Sequence, residues 1–124
     1  MISYFEENSN RPRRAIQAWI ILIHAARNRR IETYKSLSIQ MSKHYAGGTL
    51  AEVLGAIAFY CIDNNLPPLT TLVVNSETGL PGFNIPVDED LNMLREKVFN
   101  FEDWFQIVPP TEEQFKECLI KHSN

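Results

Sequence analysis

Three histidines, two cysteines and one run of acids are the side chains with which this chain of 124 residues could do chemistry. His24, His44 and His122 are scattered along the sequence. His24 lies one residue from an apolar helical stripe, where a lone histidine is a structural residue rather than a base or a ligand. Cys61 and Cys118 each sit in an apolar helical context and form no Cys-x-x-Cys pair. That pattern reads as two buried free thiols, not a disulfide or a metal site. Asp88, Glu89 and Asp90 are consecutive, so on a first helical turn their carboxylates point in different directions. They suit the positive end of a helix better than a cation, and no histidine accompanies them. Gly79-Leu80-Pro81-Gly82 is turn chemistry, and no glycine-rich phosphate loop is present. These residues predict a protein that is not an enzyme and that uses no cofactor and no metal.

Charge is distributed unevenly. Residues 1–48 hold eight Lys and Arg against three Asp and Glu, whereas residues 49–124 hold four against twelve, for a net charge of -3. A basic half can meet nucleic-acid phosphates or an acidic partner, and an acidic half repels DNA. The densest basic cluster is Arg27, Arg29 and Arg30, followed by Lys35 and Lys43. No apolar run is long enough to cross a membrane, and Glu6, Glu7 and Asn8 stand where a signal peptide needs a cationic start, so a cytoplasmic protein is expected.

The stretch from Leu66 to Pro86 sets the frame for the elements that must position these residues. Pro67-Pro68 opens it, Leu69 to Val74 is β-prone, Asn75 to Gly79 is a turn, and Phe83-Asn84-Ile85 resumes, which predicts a β-hairpin. Ahead of it the spacing predicts a helix from about Pro12 to Arg29, with Ile16, Trp19, Ile20 and Ile23 on one buried face. A second helix is capped by Thr33 and runs to about His44, with Tyr34, Leu37, Met41 and Tyr45 inward, and Gly47-Gly48 ends it. Thr49 and Glu52 form a capping box for a third helix that buries Leu50, Val53, Leu54, Ile57, Cys61 and Ile62. Beyond the hairpin, Asp88 is expected to cap a helix carrying Leu91, Leu94, Val98 and Phe101. An aromatic patch from Phe99 to Ile107 follows, and Thr111 and Gln114 box a last helix to about His122, with Phe115 and Leu119 inward. The fold class is therefore α+β, mainly α. It is a winged helix-turn-helix of three N-terminal helices, one β-hairpin and two C-terminal helices, in a single domain over residues 1–124. The winged-helix core spans 12–86 and a C-terminal helical extension spans 87–124.

The order Ile31-x-Thr33-Tyr34-x-x-Leu37-Ser38, a glycine turn, Val53-Leu54-Gly55-Ala56-Ile57, then Asn65-Leu66-Pro67 and a glycine-bearing hairpin resembles the DNA-binding domain of alkylguanine-DNA alkyltransferases and alkyltransferase-like proteins. The similarity spans roughly Arg30 to Phe83. The family's reactive cysteine lies in a Pro-Cys-His-Arg motif just after the Leu-Pro segment, and this chain has Thr70-Thr71-Leu72-Val73 there. A threonine without a neighbouring base does not replace a thiolate nucleophile, so alkyl transfer is excluded. Glu52 stands where the family inserts an arginine into the duplex. Phosphate repels a carboxylate, so base flipping is not expected either.

Off the buried stripe of the third helix lie Ala51, Glu52, Gly55, Ala56, Phe59, Tyr60 and Asp63, which offer no Arg, Lys, Asn or Gln to read base edges in a groove. Two expectations follow. In the first, the chain binds duplex DNA mainly through phosphates, with Arg27, Arg29, Arg30, Lys35 and Lys43 as contacts and Asn75 and Ser76 touching the backbone from the wing. In the second, it is an interaction module that binds a protein partner or a second copy of itself through Phe59, Tyr60, Trp104 and Phe105, with no nucleic acid.

Overall fold

The computed structural model of the chain describes residues 11–42, 47–75 and 90–122. Helix α1, Arg11–Arg27, buries Ala15, Ala18, Trp19, Leu22 and Ala26 along one stripe. These positions follow the i, i+3, i+4, i+7 rule. Of the expected face, Trp19 and Ile23 are buried and Ile16 packs against the core, but Ile20 is exposed and Leu22 is buried in its stead. Strand β1, Glu32–Thr33, leads into helix α2, Tyr34–Ser42. Thr33 caps it as expected: the Ser36 amide donates to Thr33 Oγ1 at 3.0 Å, and the Thr33 amide donates to Ser36 Oγ at 2.9 Å. Leu37 is buried, and Tyr34 and Met41 pack against the core from its edge.

Helix α3, Gly47–Asp63, starts at the glycine pair that was expected to end α2. Glycine forfeits least at this position, since the amides of a first turn have no partner inside the helix. Thr49 therefore lies within α3 and is not its N-cap; the side chains of Thr49 and Glu52 lie outside the described residues. The helix is central, packing on α1, α2 and α5. Every residue from Val53 to Cys61 is buried, while Ile62, expected inside, is 55 % exposed.

The segment expected to be one long strand divides in two. Leu69–Leu72 form a 3-10 turn, held where both the amide and the hydroxyl of Thr71 donate to the Pro68 carbonyl, at 3.0 and 2.9 Å. Only Val73–Val74 is strand, β2. Its described partner is not a hairpin arm but β1, which it meets in parallel with Glu32 opposite Val73 and Thr33 opposite Val74. Buried leucine and threonine fit a turn as well as a strand, so composition does not separate the two. Most of the expected hairpin turn and its second arm, in 76–89, lie outside the described residues, as does Tyr45.

Helix α4, Leu91–Asn100, is capped by Asp90 rather than Asp88: Asp90 Oδ1 accepts from the amides of Asn92 and Met93 at 2.8 and 3.3 Å. Helix α5, Glu112–His122, carries the expected capping box, the Thr111 amide donating to Gln114 Oε1 at 2.8 Å and the Gln114 amide to Thr111 Oγ1 at 3.1 Å. Mainly helical with one small sheet, the described chain is thus of the α+β, mainly α class.

The elements meet at Trp19. Its ring lies edge-on to Tyr60 at 5.7 Å and Trp104 at 5.9 Å, and tilted against Phe115 at 6.3 Å. Such pairs add about 0.5–1.5 kcal/mol each beyond area burial. Phe59, Tyr60 and Trp104 are 7, 9 and 2 % exposed. They hold α3 and the C-terminal turn inside the molecule and so do not form the interface expected of them. Phe105, at 43 %, remains at the surface.

Candidate functional site

Helix α1 ends in a tight reversal that presents its arginines. The Arg30 amide reaches back to the Ala25 carbonyl at 2.8 Å and the Arg29 amide to Ala26 at 3.2 Å. Between them Arg29 takes the left-handed conformation, φ 53°. Glycine prefers that position, and an arginine there costs about 1 kcal/mol. Its guanidinium lies 4.9 Å over the Phe99 ring, and Arg29 Nη2 donates to both carboxylate oxygens of Glu96 at 2.8 Å. Arg27 lies 5.3 Å over Phe105, whose ring also meets His24 edge-on at 4.9 Å. Arg30 Nη1 stands 3.4 Å from Glu32 Oε2. Glu32 is only 5 % exposed and also accepts from Ser36 Oγ and Gln40 Nε2, both at 2.7 Å.

Arg27 and Arg29 thus lie against α4 and the turn beyond it, Arg30 turns to Glu32 of β1, and Lys35 is exposed just beyond β1. Asn75 is exposed after β2, whereas Lys43 and Ser76 lie outside the described residues. Beneath Arg27 a cavity of about 300 Å³ is lined by Phe99, Phe101, Glu102, Trp104 and Phe105. Sequence reasoning found the cations but missed their seats. Glu96, Phe99 and Phe105 are far from the arginines in sequence, and no spacing links a helix end to rings this distant.

A second polar cluster joins α3 to α5. Asp63 receives His122 Nε2 at 3.1 Å, Lys121 Nζ at 3.4 Å and Cys118 Sγ at 3.7 Å. The His122 ring lies flat on Phe59 at 4.2 Å. Burial pushes the Asp63 carboxyl up, but the hydrogen bond and charge of His122, and then Lys121, outweigh it and hold the group below its ordinary value. Cysteine, histidine and aspartate in contact invite comparison with a nucleophilic triad, yet the order is wrong. The carboxylate stands between thiol and imidazole, so no base faces the sulfur. Burial, and then the Asp63 charge, push the Cys118 thiol up to about 11. Burial pushes Cys61 to about 12. Both cysteines are free and buried, as expected, and neither is a thiolate at neutral pH.

A shallower groove of about 630 Å³ runs between the end of α3, the 3-10 turn and α4, with Ile62, Leu66, Pro67, Pro68, Leu94 and Phe101 in its walls. Thr70 lines it too, 5 % exposed, with an Oγ1 that has no hydrogen-bond partner among the described residues. It occupies the stretch where the resemblance would place a reactive thiol. No group of three or more His, Cys, Asp or Glu suited to a metal ion occurs among the described residues, and no helix among them is long and apolar enough to cross a membrane.

Comparison of the chain with family models, with curated proteins and with solved structures finds no match.

Proposed function

We propose that this chain is a non-enzymatic DNA-binding protein of winged-helix type that grips the phosphate backbone with Arg27, Arg29, Arg30 and Lys35. The observation that carries the reading is the end of α1. Arg29 holds a left-handed backbone there, and Arg27 and Arg29 have their guanidinium groups laid on aromatic rings while remaining open to solvent. A guanidinium fixed on a ring loses less rotamer entropy when it takes a phosphate, which at Arg29 has to displace the Glu96 carboxylate. The helix dipole does not oppose them, since cations belong at a C-terminus. The element order helix, strand, helix, helix, strand supports the winged-helix frame. Burial of α3 from Val53 to Cys61 supports backbone contact over reading of bases in the major groove.

The test is a salt titration of binding to random-sequence DNA. The logarithm of affinity should fall linearly with the logarithm of salt, by about 0.9 for each phosphate contact on a duplex. A protein with no salt-dependent affinity at low ionic strength is not this protein.

A protein partner is the second reading, favoured by the apolar groove between α3 and α4 and by exposed Ile62 in its wall. It predicts that Ile62→Glu abolishes association with that partner and leaves the salt titration unchanged.

A further inference from the structure

Resting on the phosphate reading above, we infer that the preferred ligand is single-stranded nucleic acid, one base of which enters the aromatic cavity beneath Arg27. Four of the six lining residues are Phe99, Phe101, Trp104 and Phe105, and a fifth is Arg27 itself. Aromatic rings and guanidinium planes are the two kinds of protein surface on which unstacked bases lie, and every base has a face for them. A cavity of about 300 Å³ is at the small end of ligand pockets. It holds a single ring system and excludes a duplex, whose bases are already stacked on one another.

Charge fixes the orientation. Arg27 lies over Phe105 and Arg29, two residues on, over Phe99, so a backbone tracking these two arginines brings its bases over the rings that line the cavity. Glu102, the one acid in the lining, repels phosphate and meets an uncharged base edge. The strand therefore runs on the arginine side with its base turned inward. Phe105 is the exposed member of the group, at 43 %, while Trp104 beside it is sealed in the core. Arg27 and His24 of α1 hold the Phe105 ring in place, and the surface it still exposes is what a base can stack on.

The experiment compares short oligodeoxycytidylate with a random duplex of the same length, at matched ionic strength, on the full chain and on variants at Phe105. Wild type should bind the single strand several-fold tighter. Phe105→Ala should weaken single-strand affinity about tenfold, the worth of one stacked base, and leave duplex affinity and the salt slope as they are. Phe105→Leu, which keeps apolar bulk without a π face, should fail like alanine, and Phe105→Trp should restore binding. Equal affinity for the two ligands, or a Phe105→Ala loss shared equally between them, overturns the inference while leaving phosphate contact standing. Full binding by Phe105→Leu overturns it as well, since apolar bulk is then sufficient. Absence of salt-dependent binding to either ligand overturns the phosphate reading and the inference together.

Discussion

Helices α1 and α3 finish on the same backbone pattern and put it to different use. In α1 the left-handed residue is Arg29, φ 53°, and in α3 it is Asn65, φ 56°. The amide that follows each reaches back to a carbonyl five residues earlier, Arg30 to Ala25 at 2.8 Å and Leu66 to Cys61 at 2.9 Å. Asparagine tolerates that conformation through its short polar side chain, whereas arginine has no such excuse. The charges beside the two reversals are opposite. At the end of α1 stand cations, which the helix dipole welcomes. At the end of α3 stands Asp63, a carboxylate at a negative pole, and His122, Lys121 and Cys118 from α5 close over it. Both sets of charges are paired, but Arg29 and Glu96 meet in solvent, with side chains 54 and 51 % exposed, whereas the side chains of Asp63 and His122 are 18 and 25 % exposed. The first end therefore serves as a surface and the second as an internal clasp.

Removing the clasp should have the largest effect on the fold and none on binding. Asp63→Ala strands the polar groups of α5 and should lower stability by about 2 kcal/mol, a typical value for hydrogen bonds to a charged group, with nucleic-acid affinity unchanged in the same preparation. The loss has a pH signature. Because Asp63 is held below its ordinary value in the folded chain, its contribution is complete above the unfolded carboxyl pKa of about 3.9 and disappears as pH falls through the lower native value. The gap between wild type and variant in chemical denaturation should accordingly close on acidification below about pH 4. A gap that widens there breaks the comparison.

The converse experiment targets the surface. Replacing Arg29 and Arg30 together by alanine should weaken DNA binding about tenfold and flatten the salt slope by about 1.8, two contacts at about 0.9 each. Loss of Arg29 should change thermal stability by less than about 1 kcal/mol, the range of exposed ion pairs, since the side chains of Arg29 and Glu96 are 54 and 51 % exposed, whereas loss of Arg30 should cost more, because its partner Glu32 has a side chain only 6 % exposed. A double variant that unfolds but binds normally when cold would make the α1 end a clasp too. The smallest effect should come from Glu96→Gln, which removes the carboxylate that Arg29 now holds. Affinity should rise by about two- to fivefold if phosphate competes for that guanidinium, and a fall would show Glu96 to be a positioning residue instead.

Much of this architecture is legible in the sequence because its determinants are local. Thr33 and the Thr111–Gln114 pair mark helix starts by chemistry confined to one turn, and α5 runs to His122 as its periodicity predicts. Whatever depends on distant partners is not legible. Asp90 outcompetes Asp88 as a cap only once the chain path is set. Leu69 to Leu72 coil instead of extending because Thr71 finds the Pro68 carbonyl. Of the candidate site, the arginines are visible as a basic cluster, but not that two of them rest on Phe99 and Phe105. Tyr60 and Trp104 read as interface aromatics only while the ring of Trp19 that meets them is left out, and Phe59 only while His122 is.

The parallel ladder of β1 and β2 also bears on how the chain reaches this state. Two residues of each strand pair across a gap of about forty positions, and α2 and α3 fill the excursion between them. Closing so long a loop for so short a ladder is entropically unfavourable on its own, so the pair forms after the helices have brought its ends together. The strands then close last in folding and open first in native-state hydrogen exchange, with the amides of Val73 and Val74 exchanging ahead of those in the middle of α3.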